Sequence, residues 1–121
     1  MSELSADLRR YILTSVPSVP YLEAVLLLRA EPEHAWDAAA LARRLYVPER
    51  SAAELLVQLR ESGVATGEEG VRYGPAVELA ELLDRLAQAY AADLVTVSGL
   101  IHSRIDRRAR QFADAFRFRK D

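Results

Sequence analysis

The sequence predicts a mainly α-helical fold with one small β-hairpin, and three observations predict it. Asp37 to Ala65 reads as two helices joined by a tight turn, because apolar residues recur at helical spacing on either side of Tyr46-Val47-Pro48. The segment that follows, VATGEEGVRYGP, places two short β-prone runs around a Gly-flanked loop. From Pro75 onward, apolar residues repeat at alternating steps of four and three, the period of one helix face.

Each element has its own signals. Ser5 or Asp7 is placed to cap a first helix carrying Leu8, Tyr11, Ile12 and Val16, which Pro17 ends. Ser18 precedes a second helix with Pro20 early in it and Tyr21, Leu22, Val25, Leu26 and Leu28 following. Leu26-Leu27-Leu28 makes that helix apolar around much of its circumference, as expected of a buried central helix, and Glu31-Pro32 ends it. His34-Ala35-Trp36 is expected to form a very short strand. Asp37 then caps a short helix with Leu41, Ala42 and Leu45 on its apolar face. The next helix carries Ala52, Leu55, Leu56 and Leu59, with Pro48 in its first turn and Gly63 as its stop. The hairpin pairs Val64–Thr66 with Val71–Tyr73 around Gly67-Glu68-Glu69-Gly70. A long helix is expected from Pro75 through Ile101, interrupted at Ser98-Gly99. A last helix from Asp106 sets Ala109, Phe112, Ala113 and Phe116 opposite its arginines.

Helix, turn, longer helix, hairpin is the order of a winged helix-turn-helix. The run LARRLYVPERSAAELLVQLRESGVA, Leu41 to Ala65, resembles the helix-turn-helix of winged-helix transcription regulators of the multiple-antibiotic-resistance repressor (MarR) type. There a Leu-Ala-x-x-Leu helix, a Gly-Val turn, a polar recognition helix and a Leu-x-x-x-Gly-Leu ending recur. The resemblance covers about a fifth of the chain and departs from the pattern twice. Tyr46 stands where Gly is usual, and Pro48 where Ser or Thr caps the second helix. A Tyr at positive φ is strained, so the turn is expected to take another route. The domain organisation that follows is a winged-helix domain over residues 1–74, with its helix-turn-helix at 37–63 and wing at 64–74. A C-terminal helical arm occupies 75–121.

At 121 residues, half of them hydrophobic, the chain has enough apolar surface for a core in one domain, or in one domain plus a helical arm. It contains no cysteine, which excludes disulfides and thiolate metal ligands. The N-terminus MSELSADLRRY has no signal-peptide pattern, and no apolar run approaches the roughly 20 residues that cross a bilayer. A cytoplasmic protein with no membrane partner is the expectation. Net charge is −2 but unevenly spread. His102 to Asp121 holds seven cations and three anions, a basic tail of +4, which leaves −6 for the rest.

Were the resemblance to extend to function, duplex DNA would be the partner. The second helix of the pair would present Glu49, Arg50, Ser51, Ala53 and Glu54 to base edges, with Arg50 suited to guanine and Glu49 to cytosine. Arg43 and Arg44 would meet the backbone and Arg72 the minor groove. Against this, Asp37 to Gly63 carries four cations and four anions, and Glu68-Glu69 makes the wing tip acidic. DNA affinity comes mostly from neutralising phosphates. A solvated, mixed-charge surface is the competing reading of all these arginines. The stripe Leu79, Leu83, Leu86, Tyr90, Leu94, Val97 and Ile101 suits a homodimer seam, or packing on the N-terminal helices. In the tail, Arg107, Arg108, Arg110, Arg117, Arg119 and Lys120 alternate with Phe112, Phe116 and Phe118. That pattern suits core completion with solvated cations, or phosphate binding.

Catalysis has little support. His34 and His102 are far apart, and no phosphate loop, Gly-x-Ser-x-Gly or His-Glu-x-x-His motif is present. No catalytic residue, metal site or cofactor is expected. Motif order makes a dimeric, DNA-binding transcriptional regulator the first expectation. Charge balance makes a winged-helix module that holds a partner protein, without specific DNA binding, the alternative.

Overall fold

The structure is a computed structural model that describes residues 4–103. The last expected helix, and the roles expected of Arg107, Arg108, Arg110, Arg117, Arg119 and Lys120, lie outside the described residues. Within them the protein is mainly helical with one small antiparallel sheet. In order come α1 (Ala6–Ser15), α2 (Val19–Ala30), α3 (Ala38–Leu45), α4 (Glu49–Glu61), β1 (Ala65–Thr66), β2 (Arg72–Tyr73), α5 (Val77–Ala92) and α6 (Leu94–Ser103).

Pro20–Ala87 forms one compact unit. Its core contains the fully buried Leu22, Val25, Leu28, Leu41, Leu59 and Leu83, so α2 is the interior helix that its apolar run predicts. α3 packs chiefly on α4, and α4 on β1. The strands pair Ala65 with Tyr73 and Thr66 with Arg72. Trp36 adds a single antiparallel bridge to Val71, donating its N–H at 2.7 Å and accepting at 2.8 Å. His34–Trp36 is therefore one bridge residue instead of the expected short strand. Asp84 of α5 accepts from Arg29 Nε of α2 at 2.9 Å, which ties the first half of α5 to this unit.

The chain up to Val19 and the chain from Gln88 form a second unit, in which Leu8, Ile12, Val16, Val97 and Ile101 are buried. Ser5 caps α1 by accepting the Leu8 N–H at 3.4 Å, and Asp7 Oδ1 accepts the same N–H at 3.0 Å. The division between the units falls near the end of α5. The expected long helix is in fact two. Asp93 interrupts it: Oδ1 accepts the Thr96 N–H at 3.1 Å and Oδ2 the Thr96 hydroxyl at 2.6 Å. A carboxylate that bonds N–H groups ahead of it starts a new helix in place of extending the old one. Ser98-Gly99, the expected interruption, lies inside α6.

Candidate functional site

The α3–turn–α4 segment is built from its caps. Asp37 Oδ1 accepts the Ala40 N–H at 2.8 Å, which starts α3, and Leu41 anchors it in the core. α3 ends on Tyr46 at φ 57, ψ 45, with the Val47 N–H reaching back to the Ala42 carbonyl at 3.2 Å. Tyr46 thus occupies the left-handed conformation that the sequence reading expects the turn to avoid. The helix-closing bond requires that conformation whatever the residue. The Tyr46 side chain is 94% exposed.

Pro48 precedes α4 in extended conformation and offers no side-chain cap. Ala52, Leu55, Leu56 and Leu59 fix α4 in the core, and the opposite face is left to solvent. That face carries Glu49, Arg50, Ala53, Glu54, Val57, Gln58, Arg60 and Glu61, with Ser51 half-buried at its edge. Val57 is 48% exposed, and with Ala53, Glu54 and Gln58 it lines an open depression. Val57 was legible as an outward residue: in LLVQL it falls on the side of the wheel opposite Leu55, Leu56 and Leu59. Tyr46 gave no such signal, because the local cost of its conformation argues against it.

The expected site residues are dispersed, and several have local partners. Arg50 stands 3.9 Å from Glu54 one turn along α4. Arg44 pairs with Glu31 at 3.0 Å and lies 5.5 Å from the centre of the Trp36 ring, whose edge meets His34. Arg60 Nη1 donates to the Gly67 carbonyl at 3.4 Å and links α4 to the hairpin loop. Arg43 and Arg72 are exposed, on α3 and β2 respectively. Of the expected dimer stripe, Leu83, Leu86, Val97 and Ile101 are fully buried within one chain, Leu79 and Tyr90 are half-buried, and Leu94 is 53% exposed. Four of its seven residues are therefore already covered without a second copy.

The electrostatics of the unit are acidic. Pro20–Ala87 holds seven arginines against twelve carboxylates. The α4 helix alone has Arg50 and Arg60 against Glu49, Glu54 and Glu61. On β2, the Tyr73 hydroxyl is buried with no hydrogen-bond partner. Burial raises its pKa, the Asp84 carboxylate raises it further, and Arg29 offsets part of that. Tyr21 and Ser62 share a hydrogen bond of 2.8 Å, and Ser62 donates onward to the Leu59 carbonyl at 3.2 Å. Burial raises the Tyr21 pKa, and the Ser62 bond lowers it by a smaller amount. Among the described residues no three His, Asp or Glu side chains gather as metal ligands, and no single helix is long and apolar enough to cross a membrane.

No family model, curated protein or solved structure matches this chain.

Proposed function

We propose that the Pro20–Ala87 unit is a winged-helix module that holds a partner protein on the exposed face of α4. The winged-helix reading is supported by element order: interior helix, bridge at Trp36, two packed helices, then a hairpin whose second strand takes up the bridge. The observation that carries the functional reading is the α4 face itself. It presents an apolar centre, Ala53 and Val57, among more carboxylates than arginines. A helix that enters a DNA groove approaches phosphates on both sides, and most of its affinity comes from cations. Here Arg44 and Arg60 are engaged with groups of the fold, and Glu54 faces Arg50. Tyr46 adds a second sign. A strained and solvated aromatic beside the start of α4 has no packing role, whereas Tyr is a frequent anchor of protein interfaces.

One observation favours the DNA reading. Arg50 is almost fully exposed near the α4 N-terminus, where a recognition helix meets base edges. Titrating random duplex DNA with the purified chain from about 50 to 200 mM salt separates the two. The protein-binding reading expects weak binding that Arg50→Ala leaves unchanged. Tight binding that falls steeply with salt and is lost in Arg50→Ala would establish the DNA reading instead.

A further inference from the structure

We propose that the occupant of the α4 face is a cationic amphipathic helix of the partner protein; this rests on the protein-binding reading above. Ala53 and Val57 are one turn apart and form a strip that a small set of apolar side chains covers. Glu54 and Glu61 flank one side of the strip, and Arg60 flanks the other. Glu54 and Glu61 are two turns apart on the outward side, about 10 Å along the axis at 1.5 Å per residue, and Glu49 lies at the N-terminal end. That spacing matches two arginines or lysines seven positions apart on a helix laid along α4.

The hairpin tip adds Glu68 and Glu69, and the whole unit has five more carboxylates than arginines. An acidic partner would therefore be repelled, and an uncharged one would leave the carboxylates to be desolvated without compensation. Of the two cations on α4, Arg60 donates to the Gly67 carbonyl and Arg50 stands 3.9 Å from Glu54. Glu61 has no cation of its own among the ion pairs of the described residues. A partner arginine approaching it gains charge-assisted hydrogen bonds that no group of this unit supplies.

The test uses the full chain and a fluorescent helical peptide of about 18 residues of Leu, Ala and Arg, beside the same peptide with Glu for Arg. Anisotropy is expected to show binding of the Arg peptide alone, weakening as salt rises. The double variant Glu54→Lys/Glu61→Lys is expected to weaken it about tenfold or more. Val57→Ser weakens binding while leaving its salt dependence intact. The reversal Glu78→Lys/Glu81→Lys on α5, equally acidic but away from α4, leaves the affinity within about twofold. All these positions are exposed, and circular dichroism checks that each variant keeps its helices.

Equal binding of both peptides, no binding of either, or an Arg-peptide affinity untouched by the α4 reversal overturns the proposal. So does a dimer in sedimentation that the α4 reversal dissolves, since the occupant is then a second copy. These results leave a protein-binding α4 standing. Tight, Arg50-dependent DNA binding in the salt titration removes that reading as well, so the two failures are distinct.

Discussion

Tyr46 and Gly63 close two successive helices in the same way, Tyr46 at φ 57 and Gly63 at φ 81. Val47 N–H reaches Ala42 at 3.2 Å after the first, and Val64 N–H reaches Leu59 at 3.0 Å after the second. Only one of the two residues suits the conformation, since a side chain in the left-handed region costs about 1–2 kcal/mol. Tyr46→Gly is accordingly expected to raise stability by about 1 kcal/mol, because its exposed ring contributes no packing. Gly63→Ala, whose added methyl meets nothing within 4 Å, is expected to lower stability by about as much. Urea denaturation of the two variants measures both. If Tyr46→Gly also weakens partner binding, its strain is kept for the interface. Gly63 as a stop was legible in the sequence. Tyr46 was not, because the rule that disfavours its conformation is local, while the bond that requires it is made across a whole turn.

Tyr73 belongs at the same scale. Its folded pKa is raised, so its contribution to stability is complete below the ordinary tyrosine value of about 10 and is lost as pH rises toward the folded value. Tyr73→Phe removes a buried hydroxyl with no partner and is expected to raise neutral-pH stability by about 1 kcal/mol. It also flattens the alkaline loss, which denaturation at neutral and alkaline pH resolves.

At the scale of elements, periodicity located the helices and missed one boundary. The stripe from Leu79 to Ile101 keeps its phase through Asp93, so counting apolar steps reads one helix where there are two. The signal was present in a different form, since Asp93 is one of the residue types that cap the start of a helix. The short strand at His34–Trp36 erred in the other direction, since a lone bridge needs only one residue in register. The Asp93 pKa is lowered by the Thr96 hydroxyl and by the Thr96 N–H. The cap is therefore intact above the ordinary aspartate range and weakens as pH falls through the folded value. Asp93→Ala is expected to reduce helicity at neutral pH and to remove this acid response. Asp93→Asn should keep the cap and lose only the response. Circular dichroism against pH distinguishes the three proteins.

At the scale of the molecule, the Pro20–Ala87 unit joins two packed helices and a hairpin to an excess of carboxylates over arginines. The order was legible from caps, glycines and apolar spacing. The consequence of the charge was legible only in part. Counting residues showed a neutral helix pair, but not that Arg44 belongs to Glu31 and Trp36, or Arg60 to the hairpin loop. Those pairings depend on long-range packing that no local pattern records. Arg44→Ala should therefore act on stability, by about 1 kcal/mol through the lost ion pair and ring contact, with no change in binding by α4.

The most direct measurement places a photo-crosslinking side chain at Gln58, in the middle of the exposed α4 face, and irradiates living cells that produce the chain. A covalent adduct with a protein, lost when Glu54 and Glu61 are reversed to Lys, is the expected result. An adduct with DNA from the same position would contradict the account at its centre.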